Sequence, residues 1–216
     1  MKIKTKEKLQ DLIDEDLAWR KKELIEVKLH ISSFHNKTMI RMGIALLSAH
    51  FEGFIKQTAN YYVCFVSSQH IEMMKLKKCF LAMSCIKPMS ICAETEKITA
   101  IERALDKCIE KYNTQTFKVN YSVENPIIKT QSNPSSAVFK EIVNSIGLDY
   151  EPYKMMEKYI DTDLQRNRHA VVHGEKNMID ERDFIETYEH IIDIMESFKN
   201  QVIGAVEHEL YMDEVC

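Results

Sequence analysis

With 216 residues and 25.3 kDa, the chain is long enough to bury a sizeable core, while five glycines and four prolines are too few for a turn-rich all-β fold. A formal net charge of −4 excludes a general nucleic-acid binder, whose affinity rests on many phosphate contacts, so any such contact has to be local. The cysteines at positions 64, 79, 85, 92, 108 and 216 form no C-x-x-C pair and no zinc-ribbon spacing, which argues against a disulfide framework and for small apolar residues in a reducing cytoplasm.

In chain order, Met1-Lys2-Ile3-Lys4-Thr5-Lys6 leads straight into an amphipathic pattern, without the basic start, apolar centre and cleavage site of a signal peptide. From about Thr5 to Phe34, Leu17, Leu24 and Ile31 recur on one track and Ile13, Val27 and Phe34 on a neighbouring one, the periodicity of a long amphipathic helix. Ser32 to Thr38 offers several capping side chains and reverses the chain into a second long helix reaching about Ser67. Its most apolar part, Met39 to Val66, carries Arg41, His50, Glu52 and Lys56, charges too costly for a bilayer centre, and reads as a buried helix.

A third helical segment spans about Ile71 to Ile86 and ends near Pro88. A fourth runs from about Thr95 to Tyr112 with Ile98, Ile101, Leu105 and Ile109 on one face, and both read as ordinary bundle helices. Then the pattern changes: Phe117, Val119, Tyr121 and Val123 alternate as in a short strand, and Asn125-Pro126 and Asn133-Pro134 mark turns. Residues 113–133 therefore read as a long irregular connection or small insertion. Ser135 to Ile146 is a short helix closed by Gly147, and another begins after Pro152, with Asp161-Thr162-Asp163 as the place where it breaks and a fresh helix to Gly174 is capped. The last helix starts at Asp180 with Asp183 at the capping-box position, and the acidic tail Glu207 to Glu214 frays. No internal repeat is present, and residues 1–216 read as a single all-α domain.

Chemistry concentrates in Arg166-Asn167-Arg168-His169-Ala170-Val171-Val172-His173-Gly174-Glu175, which puts two fixed cations and two neutral-pH proton carriers at a helix end. At ~100° per residue, Arg166, Ala170 and His173 share one stripe with His169 beside them, while Arg168 points elsewhere by more than ~90°, so helix geometry leaves the choice of arginine open. A structural reading is equally available: a basic helix end whose arginines pair with Asp161, Asp163 or Glu175, and whose histidines complement the helix dipole. A metal site on His169-x-x-x-His173 is disfavoured because the zinc-protease pattern needs Glu where Ala170 stands. In the second helix, Arg41, Ala45, Ser48, Glu52 and Lys56 share one face and His50 lies opposite with Leu46 and Phe54. His50 is a hydrogen-bonded core histidine or a group orienting a cleft; Glu52 reads as an intrabundle partner of Arg41 or Lys56.

Arg168-His169-Ala170-Val171-Val172-His173 resembles the R-x(4-6)-H motif of the HEPN superfamily, and Arg166 satisfies the looser spacing to His173. The stretch from Leu46 to Lys56 is similar to the long second helix of the HEPN branch common in bacterial toxin and defence systems. The resemblance covers most of the chain and implies an HEPN-like helical bundle that dimerises so that two motifs face one cleft. It implies a metal-independent endoribonuclease of cytoplasmic location, with no cofactor, RNA as substrate, and a neutralising antitoxin or defence complex as candidate partner. In that reading Arg168 and His173 are catalytic, and His169, Asn167, Arg166 and Glu175 support them or bind RNA. The second helix would add His50 and Glu52. The rival is a catalytically silent HEPN module that binds RNA, a nucleotide or a partner protein.

Overall fold

Capping chemistry sets the first helical pair. α1 (Lys6–Phe34) is capped by the Thr5 hydroxyl, which accepts from the Lys8 N–H, and ends where His35 enters the left-handed region at φ 49°. Asn36 caps α2 (Lys37–Ser68), its side-chain oxygen accepting from the Thr38 N–H at 2.8 Å, so the predicted reversal takes only two residues. The computed structural model describes residues 2–122, 124–130, 135–176 and 179–213.

α7 (Glu181–Glu207) begins at the predicted capping box, with Asp180 accepting from the Asp183 N–H and the Asp183 carboxylate from the Asp180 N–H. It lies antiparallel to α1, along pairs that recur every seven residues of α1. Asp14 meets Lys199 and Lys28 meets Glu189, each at 3.0 Å, Lys21 meets Glu196, and His35 meets Glu181 at 2.5 Å. Beneath them Leu24, Ile44, Phe184, Ile191 and Phe198 are fully buried, so α1, α2 and α7 share one core. The Leu17, Leu24 and Ile31 track is buried as its spacing predicts; Phe34, in the last turn, is 70% exposed.

The third helix does not end near Pro88. After a 3-10 turn at Met73–Lys75, α3 spans Lys78–Ala93 with the proline inside. Proline leaves the carbonyl four residues back without its helical donor, and Lys111 of α4 (Ile98–Thr114) replaces that donor, its ammonium bonding to the Ser84 oxygen. Nor are these two the ordinary bundle helices expected. They pack chiefly on each other, and Ile98, Leu105 and Ile109 of the predicted apolar face are 81%, 47% and 57% exposed. The pair forms an arm on the bundle.

The alternation from Phe117 to Tyr121 is real in burial, but it builds no ladder; Val123 and the Asn133-Pro134 turn lie outside the described residues. The segment runs as a strap along α2, whose side chains satisfy its backbone. Val119 N–H donates to the Ser67 hydroxyl at 3.0 Å, Ile127 and Ile128 N–H donate to Asn60 Oδ1, and Asn60 Nδ2 returns a bond to Ile128 O at 3.0 Å.

α5 (Ser136–Ser145) is followed by Gly147 at φ 76°, as expected. The predicted break at Asp161-Thr162-Asp163 is absent: a 3-10 turn at Glu151–Met156 leads into a π-helical stretch, Tyr159–Arg166, which continues directly as α6 (Asn167–Val172). Asp161 caps a different helix. Its carboxylate accepts from the Ser136 N–H at 2.7 Å and the Ser136 hydroxyl at 2.6 Å, holding the start of α5. The tail is also tied down as far as residue 213: Tyr211 is buried, its carbonyl accepts from the Lys77 N–H, and Asp213 N–H donates to Lys75 O.

Candidate functional site

The Arg/His segment occupies the end of the π-to-α run. π-helical turns inside α-helices are rare and concentrate at functional positions, because the extra residue per turn shifts the faces that follow. Upstream the run is anchored by Ile160 and Leu164, both fully buried, and downstream by Ile179, but α6 itself buries none of its six residues. His173 is the C-cap of the helix, donating its N–H to His169 O at 3.0 Å. Gly174 takes φ 69°, a conformation that disfavours any side chain, and allows the Gly174 N–H to reach Val171 O and the Glu175 N–H to reach Ala170 O at 2.8 Å.

That turn presents His169 and His173 to solvent with ring centroids 4.2 Å apart. Arg166 and Glu175 are exposed, while Asn167 and Arg168 are half-buried. The Asn167 carboxamide donates to Asp163 O at 2.7 Å. A recess of about 520 Å³ is lined by Asp161, Gln165, Arg166, Asn167, His169, Ala170, Glu175 and Lys176. Arg168 and His173 do not line it, and five residues of helix separate them by ~140°. Within one chain, therefore, Arg166 stands with His169, and Arg168 looks elsewhere. Neither arginine forms an ion pair with a described residue, so the pairing with Asp161, Asp163 or Glu175 is not seen.

A residue that sequence reasoning left outside the site is Arg41. From the second turn of α2 its Nη1 donates to Glu175 O at 2.7 Å, tying the turn after His173 to the bundle across 134 residues of sequence. Helical spacing puts Arg41 on a face but carries no sign of so distant a partner.

The second-helix candidates lie apart from this segment. His50 is 4% exposed and belongs to a network with α1. Glu23 Oε2 lies 2.8 Å from its Nε2 but off the N–H axis, an electrostatic contact that leaves that nitrogen without an aligned hydrogen bond. Arg20 is held to Asp16 by two bonds of 2.9 and 3.1 Å, lies 4.7 Å from the Trp19 ring centre, and donates to His50 O at 3.3 Å. Gly53 makes room for it: a Cβ there would stand 2.6 Å from Arg20 Nη1. Burial first, and the Arg20 charge second, hold the His50 pKa below its ordinary value. Glu52 pairs with neither Arg41 nor Lys56; it accepts from the Thr130 hydroxyl at 2.5 Å and so fastens the strap. Ser48, on the face read as polar, is fully buried.

Burial pushes the Cys64, Cys79 and Cys85 thiols up to about 11, far from the thiolate form at neutral pH. No helix among the described residues is long and apolar enough to cross a membrane. Among them, too, no three His, Cys, Asp or Glu side chains converge as a metal site would require.

A helical bundle with the Arg/His segment at the end of α6 is consistent with the HEPN-like fold that the resemblance implies. A family model described as RiboL-PSP-HEPN matches residues 15–204, and the chain belongs to that family. No curated protein and no solved structure matches it. Membership places the chain among nuclease-type or RNA-related modules.

Proposed function

We propose that the chain is a metal-independent endoribonuclease, acting as a toxin or defence effector in the cytoplasm and restrained by a neutralising antitoxin or a defence-complex partner. The observation that carries this reading is the state of the segment: Arg166, His169 and His173 stand in solvent at a helix end none of whose residues is fully buried, so the core gains little from them. Arg168 and His173 diverge by ~140° on one helix, which favours a cleft built by two copies. Val172 and Met42, 62% and 60% exposed, supply apolar surface for that pairing.

In the reaction, the ribose 2′-OH attacks the adjacent phosphorus, forming the P–O2′ bond as the P–O5′ bond breaks. One His173 takes the hydroxyl proton and that of the second copy gives a proton to the departing 5′-oxygen. Arg168 stabilises the charge on the phosphorane-like transition state, Arg166 contacts a neighbouring phosphate, and His169, Asn167 and Glu175 orient these groups. Products carry 2′,3′-cyclic phosphate and 5′-hydroxyl ends.

The test is incubation of the purified protein with total RNA in EDTA, followed by analysis of the ends. His173→Ala and Arg168→Ala should each slow cleavage by at least ~10²-fold while the protein stays folded. Arg166→Ala tests the other register: if it abolishes cleavage and Arg168→Ala does not, Arg166 is the essential arginine. 3′-hydroxyl ends, or a metal requirement, would refute the mechanism. A protein that binds RNA without cutting it would be the silent module, a reading favoured by the net charge of −4.

A further inference from the structure

We infer that Arg41 is a positioning residue for His173: it braces the end of α6 against α2, so that the imidazole stands where the reaction needs it. Its place in catalysis rests on the ribonuclease reading above, whereas the brace rests on geometry alone.

The end of α6 is a cantilever. Leu164 and Ile179 are buried, but no described residue between them is. His173 stands nine residues, ~13 Å of helical rise, beyond Leu164. A helix end without such anchors frays, because its last carbonyls have no helical donors of their own. Three bonds close this one, from the N–H groups of His173, Gly174 and Glu175 to the carbonyls of His169, Val171 and Ala170. All three donors lie in one tripeptide, so displacing it opens the whole turn. Each residue of helix lost would swing the chain by ~100°, and a misplacement of ~1 Å already costs about a hundredfold in rate.

Arg41 holds that tripeptide from outside. Its Nη1 donates to Glu175 O at 2.7 Å while the Glu175 N–H donates to Ala170 O at 2.8 Å, so Glu175 is fixed on one side to α2 and on the other to α6. The bond is charge-assisted, roughly twice as strong as one between neutral groups, and it sets a cation at a helix C-terminus, where the dipole favours one. Arg41 forms no ion pair with a described residue, so no described carboxylate draws the guanidinium away from the carbonyl. Its base does not yield. Ile40, Ile44 and Leu47 beside it are buried, and a Cβ on Gly43 would stand 2.8 Å from the Phe184 ring, so this turn of α2 is packed closely against α7. Arg41 works through a main-chain carbonyl and thus steadies His173 without being one of the groups that exchange protons.

The experiment compares the parent, Arg41→Met and Arg41→Lys as full-length proteins. Methionine keeps the aliphatic stem and removes the donors; lysine keeps a cationic donor of nearly the same reach. Hydrogen exchange read residue by residue should show the amides of His173, Gly174 and Glu175 exchanging at least ~10-fold faster in Arg41→Met, with Ile44 and Ile191 in the core at parent rates. On a synthetic RNA that the parent cuts, Arg41→Met should lower kcat at least ~10-fold with KM nearly unchanged, and Arg41→Lys should recover most of both losses. Unchanged exchange at the three amides overturns the brace. Faster exchange in the core as well makes Arg41 a general stability residue and overturns the inference too. So does faster exchange at the turn with parent kcat, or a raised KM at parent kcat, which would make Arg41 a phosphate contact. A parent that cuts no RNA refutes the ribonuclease reading, and the exchange measurement still decides the brace.

Discussion

His50 shows what one buried side chain does to stability. The unfolded chain binds a proton at this residue near pH ~6.5, and the folded chain only at lower pH, because burial and the Arg20 guanidinium both oppose the charged ring. Folding therefore has its full stability above that pH and loses part of it as pH falls towards the folded value. Urea unfolding at pH 8 and pH 5.5 should show the parent losing more stability on acidification than His50→Gln; equal losses would mean that His50 carries no linkage. Asp16, Glu23 and Arg20 face the ring and are present in both proteins, so the comparison isolates the imidazole. Arg41 acts over a longer reach: one side chain of α2 closes the turn that ends the candidate site.

Helices here are completed by their neighbours. Pro88 should terminate α3 by the local rules, since it removes a donor from the ladder, yet the helix continues for five residues because the α4 ammonium of Lys111 satisfies Ser84 O. Lys111→Met keeps the aliphatic stem and deletes the donor. It should cost about 1–3 kcal/mol, the scale of a polar group left without its partner, and fray α3 beyond Pro88. Hydrogen exchange that leaves residues 89–93 as protected as in the parent would show that water substitutes for the lysine. The strap after Phe117 obeys the same logic, taking its hydrogen bonds from Ser67 and Asn60 of α2 in place of a partner strand.

For the molecule as a whole, packing outweighs surface charge. Phe139 of α5 makes ring contacts with Phe51, Tyr150, Tyr153 and Phe198 at 4.8–5.8 Å, joining α2, α5, α7 and the approach to the π-helical run. Phe139→Ala should cost about 3–5 kcal/mol. The three lysine–carboxylate pairs between α1 and α7 lie near the surface, where each is worth at most about 1 kcal/mol, and their regular spacing serves register more than stability. Unfolding in 1 M salt should therefore cost less than the Phe139 truncation; the opposite order would mean that the ion pairs hold the bundle.

Helix existence was legible because it rests on local information. The spacing of Leu17, Leu24 and Ile31, a cap between Ser32 and Thr38, the Asp180 cap and Gly147 each act within a turn or two of chain, and all fell where the local signals put them. The Arg/His segment was legible as a cluster for the same reason, its spacing being a property of a few consecutive residues. Which face each residue turns, and to whom, was not. The aliphatic stripe of α4 reads as core in any helical wheel, since exposure depends on whether another helix arrives. Asp161 reads as a local cap and instead holds α5, and Arg41 reaches Glu175 over 134 residues, because a long-range hydrogen bond leaves no periodic trace. Local propensity determined the helices; only the tertiary structure decided their partners, and with them the turn that presents His169 and His173 to solvent.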